Sequence, residues 1–256
     1  MATNAEGRLA GKVALITGAA GAFGGEMVRR FLLEGAKIVA SDTEAMGLAA
    51  ITAPHGDAVL TLAADVGCEK DWEKARQLTL ERFGRLDILV NNAGLSHTGA
   101  PQDAEHVSLE QWRAVQRVNV EGTLLGCQMA IRAMRESGGS IINISSIAAL
   151  NPSPTMIAYG TSKAAVRYMT RSVAAYCAAK GYNIRCNSIH PGWFLTPMVR
   201  QARTPAELEA QEKTIPLRRF GSLADIAEAA IYLASDQASY ITGAKLVIDG
   251  GVTMDP

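Results

Sequence analysis

The chain has 256 residues, 48% of them hydrophobic, and 25 lysines and arginines balance 25 aspartates and glutamates. A net charge of zero argues against a nucleic-acid partner, and no apolar run reaches the about 18 residues that suggest a membrane span. The polar N-terminus lacks the apolar core of a secretory signal, and the four cysteines form no CxxC pair, so we expect a cytoplasmic protein with reduced thiols. The four histidines show no metal-ligand spacing, so we expect no metal site.

The first elements predict a nucleotide-binding unit. Residues 12–17 form an apolar run typical of a buried strand, which leads into a glycine-rich turn at residues 18–25 and a helix expected over 26–34. A second strand, residues 37–41, ends at Asp42. Glycines let the backbone approach a pyrophosphate at the helix N-terminus, and an acidic residue about 20 residues later can hold ribose hydroxyls.

Asp42 favours NAD as the cofactor. Its carboxylate can accept hydrogen bonds from both hydroxyls of an unmodified ribose, but it repels a 2′-phosphate. No arginine or lysine stands in the glycine turn or directly after Asp42. NADP is therefore less expected. The alternative is that Asp42 only caps a short helix over residues 43–52.

The rest of the chain alternates strand and helix patterns without a repeat or a linker. We predict further strands over residues 59–63, 86–90, 140–144, 183–189 and 245–248, and helices over residues 69–83, 108–136, from about 159 to 180, and 222–234. Pro191-Gly192 begins a long variable segment, residues 193–216. The pattern predicts one α/β domain over residues 1–256, a Rossmann-type doubly wound parallel sheet of seven strands flanked by helices.

Tyr159 and Lys163 are four residues apart in a predicted helix, a spacing that places both side chains on one face. A nearby lysine ammonium favours the phenolate and lowers the pKa of a tyrosine, which is ordinarily about 10. A tyrosine tuned in this way can exchange a proton in catalysis. Ser146 follows the fifth strand, where its hydroxyl could bind a substrate oxygen. Taken alone, the spacing is more often an ordinary surface helix.

Taken in order, the motifs resemble the short-chain dehydrogenase/reductase family over nearly the whole chain. Residues 17–24 keep the family's glycine turn, except that Ala22 replaces its middle glycine. Residues 91–94 match its Asn-Asn-Ala-Gly motif, and residues 242–251 are similar to its C-terminal ending. The Tyr-x-x-x-Lys pair, Ser146 thirteen residues before the tyrosine, Asn119 and Pro191-Gly192 also match.

This resemblance implies a catalytic set of Asn119, Ser146, Tyr159 and Lys163. Tyr159 would exchange a proton with the substrate oxygen, and Ser146 would donate a hydrogen bond to that oxygen. Lys163 would lower the tyrosine pKa and bind the nicotinamide ribose. Asn119 would anchor a water that links Lys163 to solvent. A hydride would pass between the substrate carbon and the nicotinamide.

The same resemblance implies the contacts to the cofactor. Asp65 and Val66 would contact the adenine, and Thr196 would reach the nicotinamide amide. The full predicted set is Gly18, Gly21, Phe23, Gly24, Asp42, Asp65, Val66, Asn92, Ala93, Gly94, Tyr159, Lys163, Pro191, Gly192, Phe194 and Thr196.

The substrate pocket is expected to be mostly apolar. Its predicted residues are Ser146, Ile147, Met156, Tyr159 and Trp193. Such walls suit a hydrophobic secondary alcohol or ketone, and no arginine or lysine stands in these stretches to clamp a carboxylate. His97 and His190 could touch a substrate, although such residues more often pack or cap.

The resemblance also implies self-assembly into a homotetramer or homodimer, with the long helices after the fourth and fifth strands at one interface. Neither a nucleic acid nor a membrane is an expected partner.

Two alternative functions remain open. The first is a 3-oxoacyl reductase whose substrates are carried by an acidic acyl carrier protein. Lys180 is its one plausible basic contact, and the usual NADP preference of such enzymes conflicts with Asp42. The second is a non-catalytic NAD-binding regulator, which conflicts with the presence of all four catalytic positions.

Overall fold

The computed structural model describes residues 7–96 and 101–254. Within these ranges seven strands form one parallel sheet, in the order β3-β2-β1-β4-β5-β6-β7. The strands are β1 (Val13–Thr17), β2 (Lys37–Asp42), β3 (Val59–Ala63), β4 (Ile88–Asn91), β5 (Gly139–Ile144), β6 (Ile184–Pro191) and β7 (Lys245–Ile248). The order reverses between β1 and β4, and ligands bind doubly wound sheets at the carboxyl ends of the strands at such a point. The predicted fold class is confirmed.

Helices cover both faces of the sheet. They are α1 (Ala22–Leu33), α2 (Ala45–Thr52), α3 (Glu69–Phe83), α4 (Leu109–Gln116), α5 (Gly122–Met134), α6 (Ile157–Ala179), α7 (Pro197–Ala202), α8 (Pro205–Thr214) and α9 (Leu223–Ala234). One core packs α1 and α9 against the sheet through side chains such as Phe31 and Ile231. The opposite core includes Trp72 of α3, Met134 of α5 and Cys177 of α6. Because both faces are covered, all five residues of β1 are buried.

Helix α1 begins at Ala22, four residues before the predicted start at residue 26. Two glycines that were expected in the turn therefore lie inside the helix. Gly24 is required there because a Cβ at this position would overlap the carbonyl oxygen of Gly18. The missing side chain lets the first turn of the helix pack directly on the end of β1.

The long helix predicted over residues 108–136 is interrupted. Its α4 part ends at Gln116, a π-helical turn spans Arg117–Glu121, and α5 begins at Gly122. π-Helical turns are rare and occur often at functional sites. This turn contains Asn119, whose side chain is fully buried, so the alternative of a solvent-facing asparagine is wrong.

The segment after Pro191-Gly192 contains two further helices, α7 and α8. Thr196 and Thr204 cap them, and each threonine is followed by a proline at the start of its helix. A proline there is favourable because its fixed φ suits a helix and its missing N–H has no helical partner to lose.

Three further properties concern only residues 7–96 and 101–254. No helix there is long and apolar enough to cross a membrane. No group of three or more metal-ligating side chains is placed to hold an ion. Cys68, Cys127, Cys177 and Cys186 are free thiols.

Candidate active site

The glycine turn lies at the point where the strand order reverses. Gly18 has a φ of 64°, and a Cβ there would lie 2.8 Å from Asn92 Nδ2, so only glycine fits easily. Gly21 precedes α1 and makes no side-chain cap, so the first amides of the helix remain able to face an anion. Ala22 does not strain the turn, because Arg218 is the only described non-glycine residue with a positive φ.

Thr17 joins the glycine turn to the segment after β4. Its Oγ1 accepts hydrogen bonds from the backbone N–H groups of Asn92 and Ala93, each at 3.0 Å. In return, Asn92 Nδ2 donates to the carbonyl oxygens of Thr17, at 2.9 Å, and Gly18, at 3.1 Å. Sequence reasoning did not give Thr17 a site role, because only the pairing of β1 with β4 brings residues 75 positions apart together.

Asp42 ends β2 beside the glycine turn. Its Oδ2 accepts a hydrogen bond from the backbone N–H of Ala20 at 2.9 Å. Its Oδ1 accepts from the N–H of Glu44 at 3.1 Å, in the turn before α2. The carboxylate therefore faces the turn and also supports the entry to the helix. Each of its oxygens retains acceptor capacity for a further donor.

The loop after β3 is held by residues that the sequence did not single out. Asp65 pairs with Arg117, with 2.7 Å between Oδ2 and Nη2, and its Oδ1 accepts from the N–H of Gly67 at 2.8 Å. The Arg117 guanidinium is the main reason that the pKa of Asp65 lies below its usual value. Trp72 Nε1 donates to the carbonyl of Val66 at 2.8 Å. The predicted adenine contacts thus sit in a preorganised loop.

Tyr159 and Ser146 meet at the carboxyl end of β5. Tyr159 lies in the first turn of α6, and Ser146 directly precedes a short 3-10 turn, Ile147–Ala149. Burial raises the pKa of Tyr159, and a hydrogen bond from Ser146 acts in the opposite direction. Tyr159 therefore keeps its proton at neutral pH. The expectation that its pKa is lowered is wrong for this structure, because desolvation of the phenolate outweighs the stabilising contact.

Lys163 stands one helical turn after Tyr159, as its spacing predicts. Its Nζ donates to the carbonyl oxygen of Ile144 at 2.8 Å and lies 5.7 Å from the centre of the Tyr159 ring. Burial lowers the pKa of Lys163 to about 8. The ammonium group is therefore held between the end of β5 and the candidate catalytic tyrosine.

Asn119 clamps two parts of the site together. Its Oδ1 accepts from the N–H of Leu95 at 2.7 Å, and its Nδ2 donates to the carbonyl of Leu95 at 3.0 Å and to Ser162 Oγ at 2.9 Å. Ser162 in turn donates to the carbonyl of Tyr159 at 2.7 Å. Both amide hydrogens of Asn119 are used by protein groups. Its role in a water relay stays a prediction.

The segment after β6 packs against β7 and against the first turn of α1. The N–H of Gly192, which follows Pro191, donates to the carbonyl of Ile248 at 2.9 Å. The ring of Phe194 packs edge-to-face on Phe23 of α1, with 5.2 Å between the centroids. Thr196 Oγ1 accepts from the N–H of Val199 at 3.3 Å, so this hydroxyl keeps its proton free to donate elsewhere.

Arg203 is a cation that the sequence did not place beside the predicted substrate wall. Its guanidinium carbon lies 5.2 Å from the centre of the Trp193 ring, and its Nη1 donates to Gln211 Oε1 at 3.2 Å. The stretches predicted to line the pocket contain no arginine or lysine, but Arg203 brings a cation to Trp193 from outside them. Nine residues of irregular chain and helix separate the pair, and no periodicity indicates their contact.

The other predicted substrate contacts differ in their surroundings. Ile147 and Met156 are both partly exposed, and Met156 directly precedes α6. His190 is fully buried with both ring nitrogens bound to protein atoms, which confirms the packing interpretation. Gly94 approaches the same centre, since a Cβ there would lie 3.2 Å from Lys163 Nζ. His97 lies outside the described residues.

These features fit a dinucleotide with a reacting centre at its far end. A glycine turn and an uncapped helix suit a pyrophosphate, and a carboxylate at the end of the next strand suits ribose hydroxyls. Tyr159, Ser146 and the buried Lys163 meet at the carboxyl end of β5, which is two strands from β1 in the sheet.

Comparisons with known proteins agree with this geometry. The family model described as enoyl-(acyl carrier protein) reductase matches residues 18–253. The chain is 38% identical to the NADP-dependent (R)-specific alcohol dehydrogenase of Lentilactobacillus kefiri, covering 96% of this chain and 98% of that one. It is 39% identical to the 3-beta-hydroxysteroid dehydrogenase of Comamonas testosteroni, covering 96% and 97% respectively.

A solved structure is also similar. The 3-ketoacyl-(acyl-carrier-protein) reductase of Brucella melitensis, in complex with NADH, superimposes with a TM-score of 0.88 at 37% identity, covering 96% of this chain and 100% of that one. Motifs, fold and relatives agree over nearly the full length, and the chain therefore belongs to the short-chain dehydrogenase/reductase family.

Proposed function

We propose that the protein is an NAD-dependent oxidoreductase that interconverts a hydrophobic secondary alcohol and its ketone. The observation that carries the proposal is the meeting of Tyr159, Ser146 and Lys163 at the carboxyl end of β5, on the sheet edge that bears the glycine turn. Relatives named as alcohol and hydroxysteroid dehydrogenases support an oxidoreductase that acts on a CH–OH group.

The side chains divide the proton chemistry between them. Tyr159, protonated at neutral pH, donates its proton to a carbonyl oxygen in reduction. In oxidation its phenolate form, which becomes more populated as the pH rises, takes the hydroxyl proton. Ser146 donates a hydrogen bond to the same oxygen and stabilises the charge that develops on it. Lys163 holds its ammonium beside the tyrosine and binds the nicotinamide ribose. Bound NAD would accept the hydride in oxidation, and bound NADH would supply it in reduction.

NAD is favoured because Asp42 presents a carboxylate beside the glycine turn. The relatives point in both directions: one is named as NADP-dependent, and the similar solved structure holds NADH. Asp42 is therefore the residue on which the cofactor proposal rests.

The proposed substrate class rests on the residues predicted to line the substrate pocket. Ile147, Met156 and Trp193 present apolar surface, which suits an alicyclic or aromatic alcohol. Arg203 at Trp193 adds one positive charge at the edge of this surface. A substrate panel should therefore include alcohols with and without a remote carboxylate.

A second candidate is a 3-oxoacyl reductase acting on a carrier-protein substrate, favoured by the name of the similar structure and by the acyl carrier protein in the name of the family model. Lys180, its proposed docking contact, caps the C-terminus of α6, whereas Tyr159 lies in the first turn. At about 1.5 Å per residue, the two are roughly 30 Å apart. This separation places Lys180 far from the reacting centre and favours the free alcohol.

A substrate panel tests the proposal. Purified protein is assayed at 340 nm with NAD and with NADP against cyclic, aromatic and steroid alcohols, their ketones, carboxylated analogues and a carrier-linked 3-oxoacyl thioester. Turnover of free alcohols or ketones with NAD supports the proposal. Activity confined to the carrier-linked substrate supports the second candidate, and NADH binding without any turnover supports the regulator.

Replacing Lys163 with methionine should raise the pH at which alcohol oxidation switches on, because the ammonium of Lys163, charged below its pKa of about 8, favours the phenolate of Tyr159. The same change should weaken NADH binding. The measurement is kcat/KM against pH, together with NADH fluorescence titration. Lys180→Met, an exposed lysine at the other end of α6, is the matched control. An unchanged pH profile with normal NADH affinity would exclude both roles.

We also propose that copies of the chain associate through α5 and α6. Leu124, Tyr168 and Tyr176 expose apolar surface on these helices, with exposed fractions of 41%, 72% and 48%. A homotetramer or homodimer would cover this surface, and sedimentation velocity would measure the assembly.

The free cysteine thiols support a reducing, cytoplasmic setting.

A further inference from the structure

His190 contacts the backbone carbonyl of Ser146. It is in β6, has no exposed surface, and its Nδ1 is 3.0 Å from the backbone carbonyl oxygen of Ser146. Its Nε2 is 2.9 Å from Ser188 Oγ, in the same strand. The ring therefore bridges β6 and the residue that carries the candidate oxyanion contact.

The partners determine where the ring protons lie. The Ser146 carbonyl can only accept, so His190 Nδ1 must carry a proton. Ser188 Oγ–H then donates to Nε2 at 2.9 Å rather than to the carbonyl oxygen of Ala244, which lies farther away at 3.4 Å, and Nε2 accepts in the neutral ring. The ring remains neutral because burial lowers the pKa of His190 to about 4, with a smaller effect in the same direction from Arg167, Lys245 and Lys163.

Ser145, directly before Ser146, is bonded to the carbonyl oxygens of Ile189 in β6 and Lys163 in α6, whereas among the described residues the Ser146 peptide has only local partners besides His190. Its carbonyl also accepts from the N–H of Ala149 at 3.1 Å, and its Oγ accepts from the N–H of Ala148 at 3.1 Å. These two bonds form the short 3-10 turn and would move with it. The contact with His190 restrains the orientation of the Ser146 carbonyl itself, from the neighbouring strand β6.

We propose that His190, with Ser188 fixing its tautomer, is a positioning residue that orients Ser146 towards the substrate oxygen. This inference rests on the proposed role of Ser146. A displaced hydrogen-bond donor in a reacting centre can cost about 10²-fold in rate, so the contact matters to turnover although His190 touches no substrate.

Two substitutions separate positioning from packing. Asparagine places its amide nitrogen near the position of Nδ1 and can still donate to the Ser146 carbonyl, whereas glutamine reaches the position of Nε2. We expect His190→Gln to lower kcat by about 10²-fold with little change in the Kd of NADH. We expect His190→Asn, which keeps the donor to Ser146, to retain most of the wild-type kcat. Equal kcat values for the two variants, with similar Tm, would overturn the inference.

The tautomer of His190 can also be measured on the unmodified protein, with variants needed only to assign its signal. In protein labelled with ¹⁵N-histidine, long-range ¹⁵N–¹H spectra should show one ring as the neutral Nδ1–H tautomer at pH 6, and His190→Asn or Ser188→Ala should remove or change that signal. An Nε2–H tautomer at His190 would contradict the proposal.

Ser146→Ala distinguishes failure of this inference from failure of the proposed function. If that variant turns over normally, the catalytic role of Ser146 is wrong and the inference falls with it. If Ser146→Ala is inactive while the asparagine and glutamine variants at position 190 behave alike, only the role of His190 is wrong.

Discussion

Tyr159→Phe should reduce turnover by about 10²–10⁴-fold, the usual range for loss of a general acid or base. The phenyl ring keeps the packing beside Lys163, whose Nζ lies 5.7 Å from the ring centre, so the protein should fold and bind NADH as before. Only the proton donor is lost. The measurement is kcat for the best alcohol from the panel, with NADH affinity and Tm measured in parallel.

Tyr168→Phe provides the matched control on the same helix. Tyr168 is 72% exposed on α6, and its hydroxyl has no part in the proposed chemistry. Its phenylalanine variant should retain wild-type turnover. If Tyr159→Phe keeps half of the wild-type activity, the tyrosine is not the proton carrier.

Changing Asp42 should reverse the choice of cofactor. Hydrogen bonds to a charged group contribute about 1.5–3 kcal/mol each, and about 1.4 kcal/mol corresponds to tenfold in affinity, so a preference for NAD of about a hundredfold is expected. Asp42→Ala should weaken NAD and improve NADP. Thr43→Arg in addition should improve NADP further, by supplying a partner for the phosphate.

The hydrogen bonds of Asp42 suggest a second variant that disturbs the backbone less. Asp42 also accepts hydrogen bonds from the N–H groups of Ala20 and Glu44, so alanine could disturb the glycine turn. Asp42→Asn keeps one oxygen acceptor and removes the charge, and Glu44→Ala removes a neighbouring exposed charge as a control. The measurement is kcat/KM for NAD and for NADP. A wild-type preference for NADP, or an unchanged ratio in both Asp42 variants, would show that Asp42 only supports the entry to α2.

Local pattern predicted the features that depend on nearby residues. The spacing of Tyr159 and Lys163 is set by the helical repeat, and the helix forms as predicted. The strands of the sheet are apolar runs that pattern identifies readily, with ends that differ by a few residues. The glycine turn requires a positive φ at Gly18, and a glycine in the sequence is the local signal for such a conformation.

Features that depend on distant contacts could not be predicted. The π-helical turn around Asn119 brings the side chain to Leu95 and Ser162, which lie 24 and 43 residues away. The raised pKa of Tyr159 results from burial, which no local pattern measures. The pairing of Arg117 with Asp65 spans 52 residues. Each of these contacts follows from the packing of elements across the sheet.

Transfer of deuterium from substrate to cofactor tests the central claim most directly. The panel's best secondary alcohol, deuterated at its carbinol carbon, is incubated with the protein and NAD, and the reduced cofactor is analysed by mass spectrometry. We predict that the deuterium is found in the NADH and that Tyr159→Phe greatly reduces its formation. NADH without deuterium, or equal labelling by Tyr159→Phe, would contradict the assignment of an alcohol dehydrogenase centred on Tyr159.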